Sequence, residues 1–410
     1  MDSRVAVTGI GLVTPLGSDR DGCLDRLLAG ETAVGPVTGF PSRHIGAEVT
    51  GFQPGDVLSA RNRRRMDRLS QMAAGAARMA VEDAGLPLDP DHRDRIGVLF
   101  GTAFGATDVV AGFARTLFTD GPKSVSPMMV PNIVMNAPAG HTAIELGVRG
   151  INATVNHREA SAETAIAYAA AEIQRGRADA ILAGGADLIS PVMLEVLDRF
   201  SALAPTDDSP APARPFDRDR RGLVAGEGAG VMVLEPLDRA IERGAPVYGE
   251  ILGWGMSAAP APPTDWPTDP RGPVLAIRRA LSAAGVEPDR IDIVMASANG
   301  SRRLDRIEAD ALMDVFGDGS SAPPVTSVKG AFGDSFSSGG IRSALLLMAM
   351  ARRMAPPTVG LASPIAPLPF VTASRPLDAG DVVHGLVNGF ATGGTFVSLV
   401  LRRGGTGGLD

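Results

Sequence analysis

One cysteine, Cys23, stands among 410 residues. That excludes an internal disulfide framework and fits a reducing cytosol. Aromatic residues are scarce at 4%, while Ala, Gly, Pro and Arg abound, so aromatic counting carries little weight. No apolar run approaches the roughly 20 residues of a membrane span, and the N-terminus lacks a basic-then-apolar signal. Positive charge is in deficit: the net charge of −7 argues against nucleic acid or an anionic membrane as the main partner. His and Cys are too few and too scattered for a metal-ligand cluster. What remains is an ordinary globular composition, 44% hydrophobic and 21% charged, long enough for a large core or two fused halves.

Apolar runs at 4–9, 96–101, 180–185 and 231–235 read as buried strands. They alternate with amphipathic helical patterns at 21–29 and 67–84, which points to α/β layers. A second half begins near Tyr248 and repeats the grammar. Strands at 247–252, 291–297 and 324–328 alternate with helices at 274–284, 306–316 and 340–352, before closing strands at 382–388 and 395–402. The expectation is an internally duplicated fold, with units 1–246 and 247–410.

The segment Ala153-Thr154-Val155 runs through Asn156-His157-Arg158-Glu159 into a long Ala-rich helix over 162–175. Strand, sharp turn and helix start are the geometry of a nucleophile elbow. Backbone N–H groups and the helix dipole would activate a Cys there, but the position carries the carboxylate of Glu159.

These segments resemble the β-ketoacyl synthase family over nearly the whole chain. The opening Val5-Ala6-Val7-Thr8-Gly9-Ile10-Gly11 with Thr14-Pro15-Leu16-Gly17 is similar to that family's start. So are Ser126-Pro127-Met128-Met129-Val130-Pro131, Ala139-Gly140-His141, and the run Arg214 to Gly222 leading into Gly226-Glu227-Gly228-Ala229-Gly230. The resemblance implies a thiolase-like α/β fold, two duplicated βαβαβ halves in five α/β/α/β/α layers. It also implies a Cys-His-His site in active members, where Cys carries the acyl chain. Carried over, the Cys position is Glu159. The first His position, in Ser297-Ala298-Asn299-Gly300-Ser301, is Asn299, and the second, in the run from Lys329 to Asp334, is Asp334. Only Lys329 is retained. The last glycine motif, Phe390-Ala391-Thr392-Gly393-Gly394-Thr395, lacks the family's gating Phe.

A carboxylate cannot form an acyl thioester, and Asn299 and Asp334 cannot act as imidazole bases near neutral pH. Three readings of Glu159 stay open. It is a residue tolerated in a disused site, or a structural acceptor at the helix start paired with Lys329, or a general acid or base acting with His157; Lys329 could neutralise Glu159 and Asp334 together. Phe104, Phe113, Phe118, Met128, Met129 and Thr392 are candidates to line an acyl tunnel, and core packing explains the apolar ones equally well. The basic runs Arg61 to Arg65 and Arg352-Arg353 read as a carrier-protein docking patch or as solvated helix faces.

Within the family the pattern resembles the chain length factor, the ketosynthase β subunit of type II polyketide synthases. That implies a cytoplasmic subunit, inactive in condensation alone, which pairs with a catalytic ketosynthase α subunit as a heterodimer and sets the end of the polyketide tunnel. It implies an acyl carrier protein as second partner, bringing its own phosphopantetheine, and no other cofactor. The alternative is a stand-alone enzyme using Glu159 for acyl transfer, hydrolysis or dehydration on carrier-bound chains.

Overall fold

The computed structural model describes residues 4–206, 213–319, 322–377 and 383–404. The N-terminal half supplies β1 (Val5–Val13), β2 (Ile96–Gly101), β3 (Asn152–Val155), β4 (Ala180–Asp187) and β5 (Gly228–Pro236). The C-terminal half supplies β6 (Gly249–Ala258), β7 (Ile293–Met295), β8 (Val325–Thr326), β9 (His384–Ala391) and β10 (Thr395–Arg403). Residue 382, where the sequence reading begins a strand, lies outside the described residues. Hydrogen bonds link the strands in the order β8-β7-β9-β10-β6-β1-β5-β4-β2-β3.

Within each half the order is third, second, fourth, fifth, first. The fifth strand, β5 or β10, runs antiparallel to both neighbours, and the other pairs are parallel. Identical topology twice over is the expected duplication. The halves join where Val5, Ala6 and Val7 pair with Ile251, Glu250 and Gly249.

Burial explains the sequence patterns. β1, β4 and β5 are buried at every position, as strands covered on both faces must be, and so they read as continuous apolar runs. The outer helices Arg68–Ala84 and Arg271–Ala284 keep an apolar stripe against their sheets, the first on β1 and β5, the second on β6 and β10. The helices Ser161–Gln174 and Gly339–Ala351 occupy the central layer and touch strands of both halves. Such helices are apolar nearly all round. Outer helix, sheet, central helices, sheet and outer helix make the five layers of a thiolase-like fold.

The helices Thr107–Asp120, Ala137–Leu146 and Pro191–Arg199 fall where no helix is expected from sequence. Ala137–Leu146 and Pro191–Arg199 open with Pro in the first turn, where its missing N–H costs nothing.

Candidate active site

The elbow forms as expected. β3 ends at Val155, a single 3-10 turn covers Arg158–Ala160, and the central helix starts at Ser161. Asn156 anchors the descent by donating Nδ2–H to the carbonyls of Thr102 and Ala103, each at 2.9 Å. The sharp turn puts Arg158 at a φ of 52°, a left-handed conformation for a residue with a side chain. Close packing begins immediately: a Cβ added to Gly101 would lie 2.3 Å from the Ser161 carbonyl carbon, so β2 must offer glycine there.

Glu159 is buried, at 8% exposure. Its Oε2 accepts the Thr392 backbone N–H at 3.1 Å, and the Thr392 hydroxyl lies 3.2 and 3.3 Å from the two carboxylate oxygens. Burial pushes the Glu159 carboxyl above its ordinary value. The N–H groups of Glu159 itself and of Thr392 oppose that shift, as does Lys329, while the nearby Asp334 adds to it. Arg158 donates to the Thr392 hydroxyl at 3.1 Å. His157 turns aside, with Nδ1 3.2 Å from the Thr164 hydroxyl; burial lowers its pKa.

Asn299 and Asp334 meet directly. Asn299 Nδ2–H donates to Asp334 Oδ2 at 2.7 Å, and the Phe336 amide donates to Asp334 Oδ1 at 2.9 Å. Lys329 Nζ lies 3.0 Å from Asp334 Oδ1, with both side chains buried. The contact is an ion pair by proximity: among the described residues no oxygen is aligned for a hydrogen bond from Nζ. Of the two carboxylates Lys329 is expected to neutralise, Asp334 takes the ion pair and Glu159 does not. The ammonium goes to Asp334, and Glu159 is held by N–H and O–H dipoles.

Several residues of this site carried no sequence expectation. Glu163, in the central helix, forms a fully buried ion pair with Arg342 of the other central helix. Arg342 also donates Nη1–H to the Ala296 carbonyl at 3.1 Å and to the Asn388 carbonyl at 2.5 Å. Asp187 accepts from the Thr102 hydroxyl and from the amides of Ala103, Phe104 and Ser337. It thereby clasps the loop after β2 to the loop carrying Asp334. The signal for the first two was present: a charge inside the buried, apolar stretch of a central helix must be paired.

The tunnel candidates separate. Phe104 is half-buried and stacks edge-on against Phe336 at 4.8 Å, two residues from Asp334. Phe113 and Met129 are half-buried on the neighbouring segments. Phe118 is 85% exposed, and Met128 lies with Arg61, Arg64 and Arg65 along an open groove of roughly 480 Å³. In the single chain these two face outward.

Family sequence models match both halves: the β-ketoacyl synthase N-terminal domain at residues 2–240 and its C-terminal domain at 248–362. The chain belongs to the β-ketoacyl synthase family. Among its relatives, the 3-oxoacyl-[acyl-carrier-protein] synthase 2 of Synechocystis is 34% identical, with 98% of each chain covered. The protein of the same description from Coxiella burnetii is 33% identical, again with 98% of each covered. A solved structure described as the ishigamide ketosynthase/chain length factor superposes with a TM-score of 0.90 at 30% identity, covering 99% of this chain and 100% of that one. A β-ketoacyl synthase from Burkholderia phymatum gives 0.90 at 31%, covering 98% and 100%. This β-ketoacyl synthase fold thus carries Glu159 at its elbow, held by Thr392 from the opposite half.

Proposed function

We propose that this chain is a non-condensing, chain-length-factor subunit of a type II polyketide ketosynthase. The observation that carries the reading is the closed Asn299–Asp334–Lys329 arrangement beside a thiol-free elbow. Each polar group faces another inside the protein, so none is poised to attack or to decarboxylate a substrate. The likeness to the ishigamide ketosynthase/chain length factor over the whole chain supports it.

The partner is a catalytic ketosynthase. β3 ends the long sheet with one edge unpaired, and apolar side chains stand exposed on the surface, among them Phe118, Val134 and Ile144, the last on the helix Ala137–Leu146 that packs against β3. An unpaired sheet edge, together with exposed apolar side chains elsewhere on the chain, suits strand-to-strand pairing with a related subunit. The second partner is an acyl carrier protein with its phosphopantetheine arm, for which the groove of Arg61, Arg64 and Arg65 offers a basic landing place. The subunit's role is to complete the tunnel and limit chain growth.

Co-expression with a Cys-His-His ketosynthase, followed by mass analysis of carrier-bound products, tests this. The expected result is long-chain product from the pair and none from either chain alone. Product formed by this chain alone would favour an acid–base enzyme built on Glu159, a reading to which its raised carboxyl pKa lends support.

A further inference from the structure

Arg61, Arg64 and Arg65 line the open groove, with Ala60 and Met128 completing it. Among the described residues none of these three arginines is in an ion pair, so their positive field is not neutralised within the chain. Arg63, from the same run, folds away: a Cβ added to Gly55 would lie 2.9 Å from its Nη1. The helix that carries the run, Ala60–Arg63, has a single turn and is too short to fix that choice by itself.

The helix Ala137–Leu146 holds the run at both ends. The Glu145 side chain, 1% exposed, accepts from the Ser59 amide at 2.9 Å, the Ser59 hydroxyl at 2.8 Å and Asn62 Nδ2–H at 2.7 Å. Ser59 is the N-cap of the short helix. Arg78 lies 3.4 Å from the Glu145 carboxylate, so this buried acid has its own counter-charge and does not draw on the groove arginines. One turn earlier, His141 Nε2 lies 2.6 Å from Asn132 Oδ1, and Asn132 Nδ2–H donates to the Arg65 carbonyl at 2.9 Å. The Asn132 amide spends its N–H on Arg65, so its Oδ1 is an acceptor and His141 is the donor to it. Asn132 ends the 3-10 segment Pro127–Asn132, which carries Met128, so these bonds tie the two walls of the groove together.

We propose that His141 and Glu145, neighbours on one face of this helix, are positioning residues that preset the groove for an acidic protein surface. Three unpaired arginines select a partner rich in Asp and Glu, and holding their backbone in place before contact lowers the ordering cost of binding. The choice of partner rests on the reading of the groove as a carrier protein's landing place; the clamp itself is measured on the chain alone.

Two measurements on the full chain test it. The first is residue-resolved hydrogen exchange of the Ser59 amide, which should quicken about tenfold in Glu145→Ala, the scale of a lost hydrogen bond to a charged group. Glu145→Gln keeps an acceptor and should fall between that variant and wild type, and it serves if Glu145→Ala does not fold. The second is a binding titration with a holo-acyl carrier protein as the probe. His141→Leu should bind it about three- to tenfold more weakly, while His141→Gln, whose amide can still donate to Asn132, should stay within about twofold of wild type. Adding Glu145→Gln or His141→Leu to an Arg61→Ala/Arg64→Ala/Arg65→Ala chain should weaken binding no further, because a residue acting through those arginines has nothing left to position. Additive losses, or a His141→Gln chain as weak as His141→Leu, overturn the positioning role. Unchanged Ser59 exchange in Glu145→Ala overturns the clamp without reference to any partner. Full carrier binding by the triple arginine variant overturns the landing-place reading and the partner named here, whatever Ser59 shows.

Discussion

The Lys329 ammonium lies 3.0 Å from the Asp334 carboxylate, with both side chains buried, so a buried cation offsets a buried carboxylate. Lys329 opens a one-turn helix, Lys329–Phe332, and Asp334 follows two residues after its end, in the C-terminal half. Their pairing leaves Glu159, from the N-terminal half, to backbone donors. It also makes each partner costly to remove singly.

Asp334→Asn is expected to destabilise the chain by about 3–5 kcal/mol, since it leaves the Lys329 ammonium buried without its counter-charge. The double variant Lys329→Met/Asp334→Asn should recover most of that loss. Denaturant melts of the two variants check it: a double variant no more stable than the single would mean the pair is not the reason for the loss.

Glu159→Gln should fold, pair with its partner and support product formation at near wild-type rates. A drop of about 100-fold or more, the scale of losing a general acid or base, would place Glu159 in chemistry instead. Stability against pH gives a second check. The folded-state pKa of Glu159 is raised, so its contribution is fully present below the unfolded value and is lost as pH rises through the folded one. The Gln variant has no proton to lose there. Its melting temperature relative to wild type should therefore climb as pH rises above the ordinary carboxylate range, then level off.

Cys23 should resist alkylation in the native state. Its thiol is buried against Thr14, and burial pushes it up to about 11, leaving almost no thiolate at neutral pH. Intact-mass analysis after treatment with iodoacetamide or a thiol-directed ketosynthase inhibitor should show no adduct until the chain is unfolded. An adduct within residues 156–161 would contradict the absence of acyl-enzyme chemistry at the elbow.

Phe104 and Phe118 should respond oppositely to truncation. Phe104→Ala removes the edge-on contact with Phe336 and should cost about 2–4 kcal/mol, with a change in product length if that wall bounds the tunnel. Phe118→Ala removes an exposed ring, so the isolated chain should stay within about 0.5 kcal/mol while partner affinity falls. Thermal melts beside a binding titration separate the two. An early-melting Phe118→Ala chain with unchanged affinity would show that the ring is packed and not an interface residue.

The sequence by itself determined the layered, duplicated α/β fold and the loss of the thiol. Strands buried on both faces must be written as apolar runs, and central helices as apolar on every side, so β1, β4, β5 and the helix after Glu159 were legible without coordinates. An elbow announces itself through its strand, its turn and its Ala-rich helix, whatever residue occupies the tip. Which charges meet was decided only by the tertiary structure. In sequence Lys329 could serve Glu159 and Asp334 alike, but partner choice depends on distances between segments 170 positions apart, and there the ammonium faces Asp334. Glu163 and Arg342 meet only because two helices from separate halves share the central layer, a packing relationship that no local periodicity encodes. Thr392 reaches Glu159 for the same reason: the halves close on each other, and the final hairpin turn comes down on the elbow.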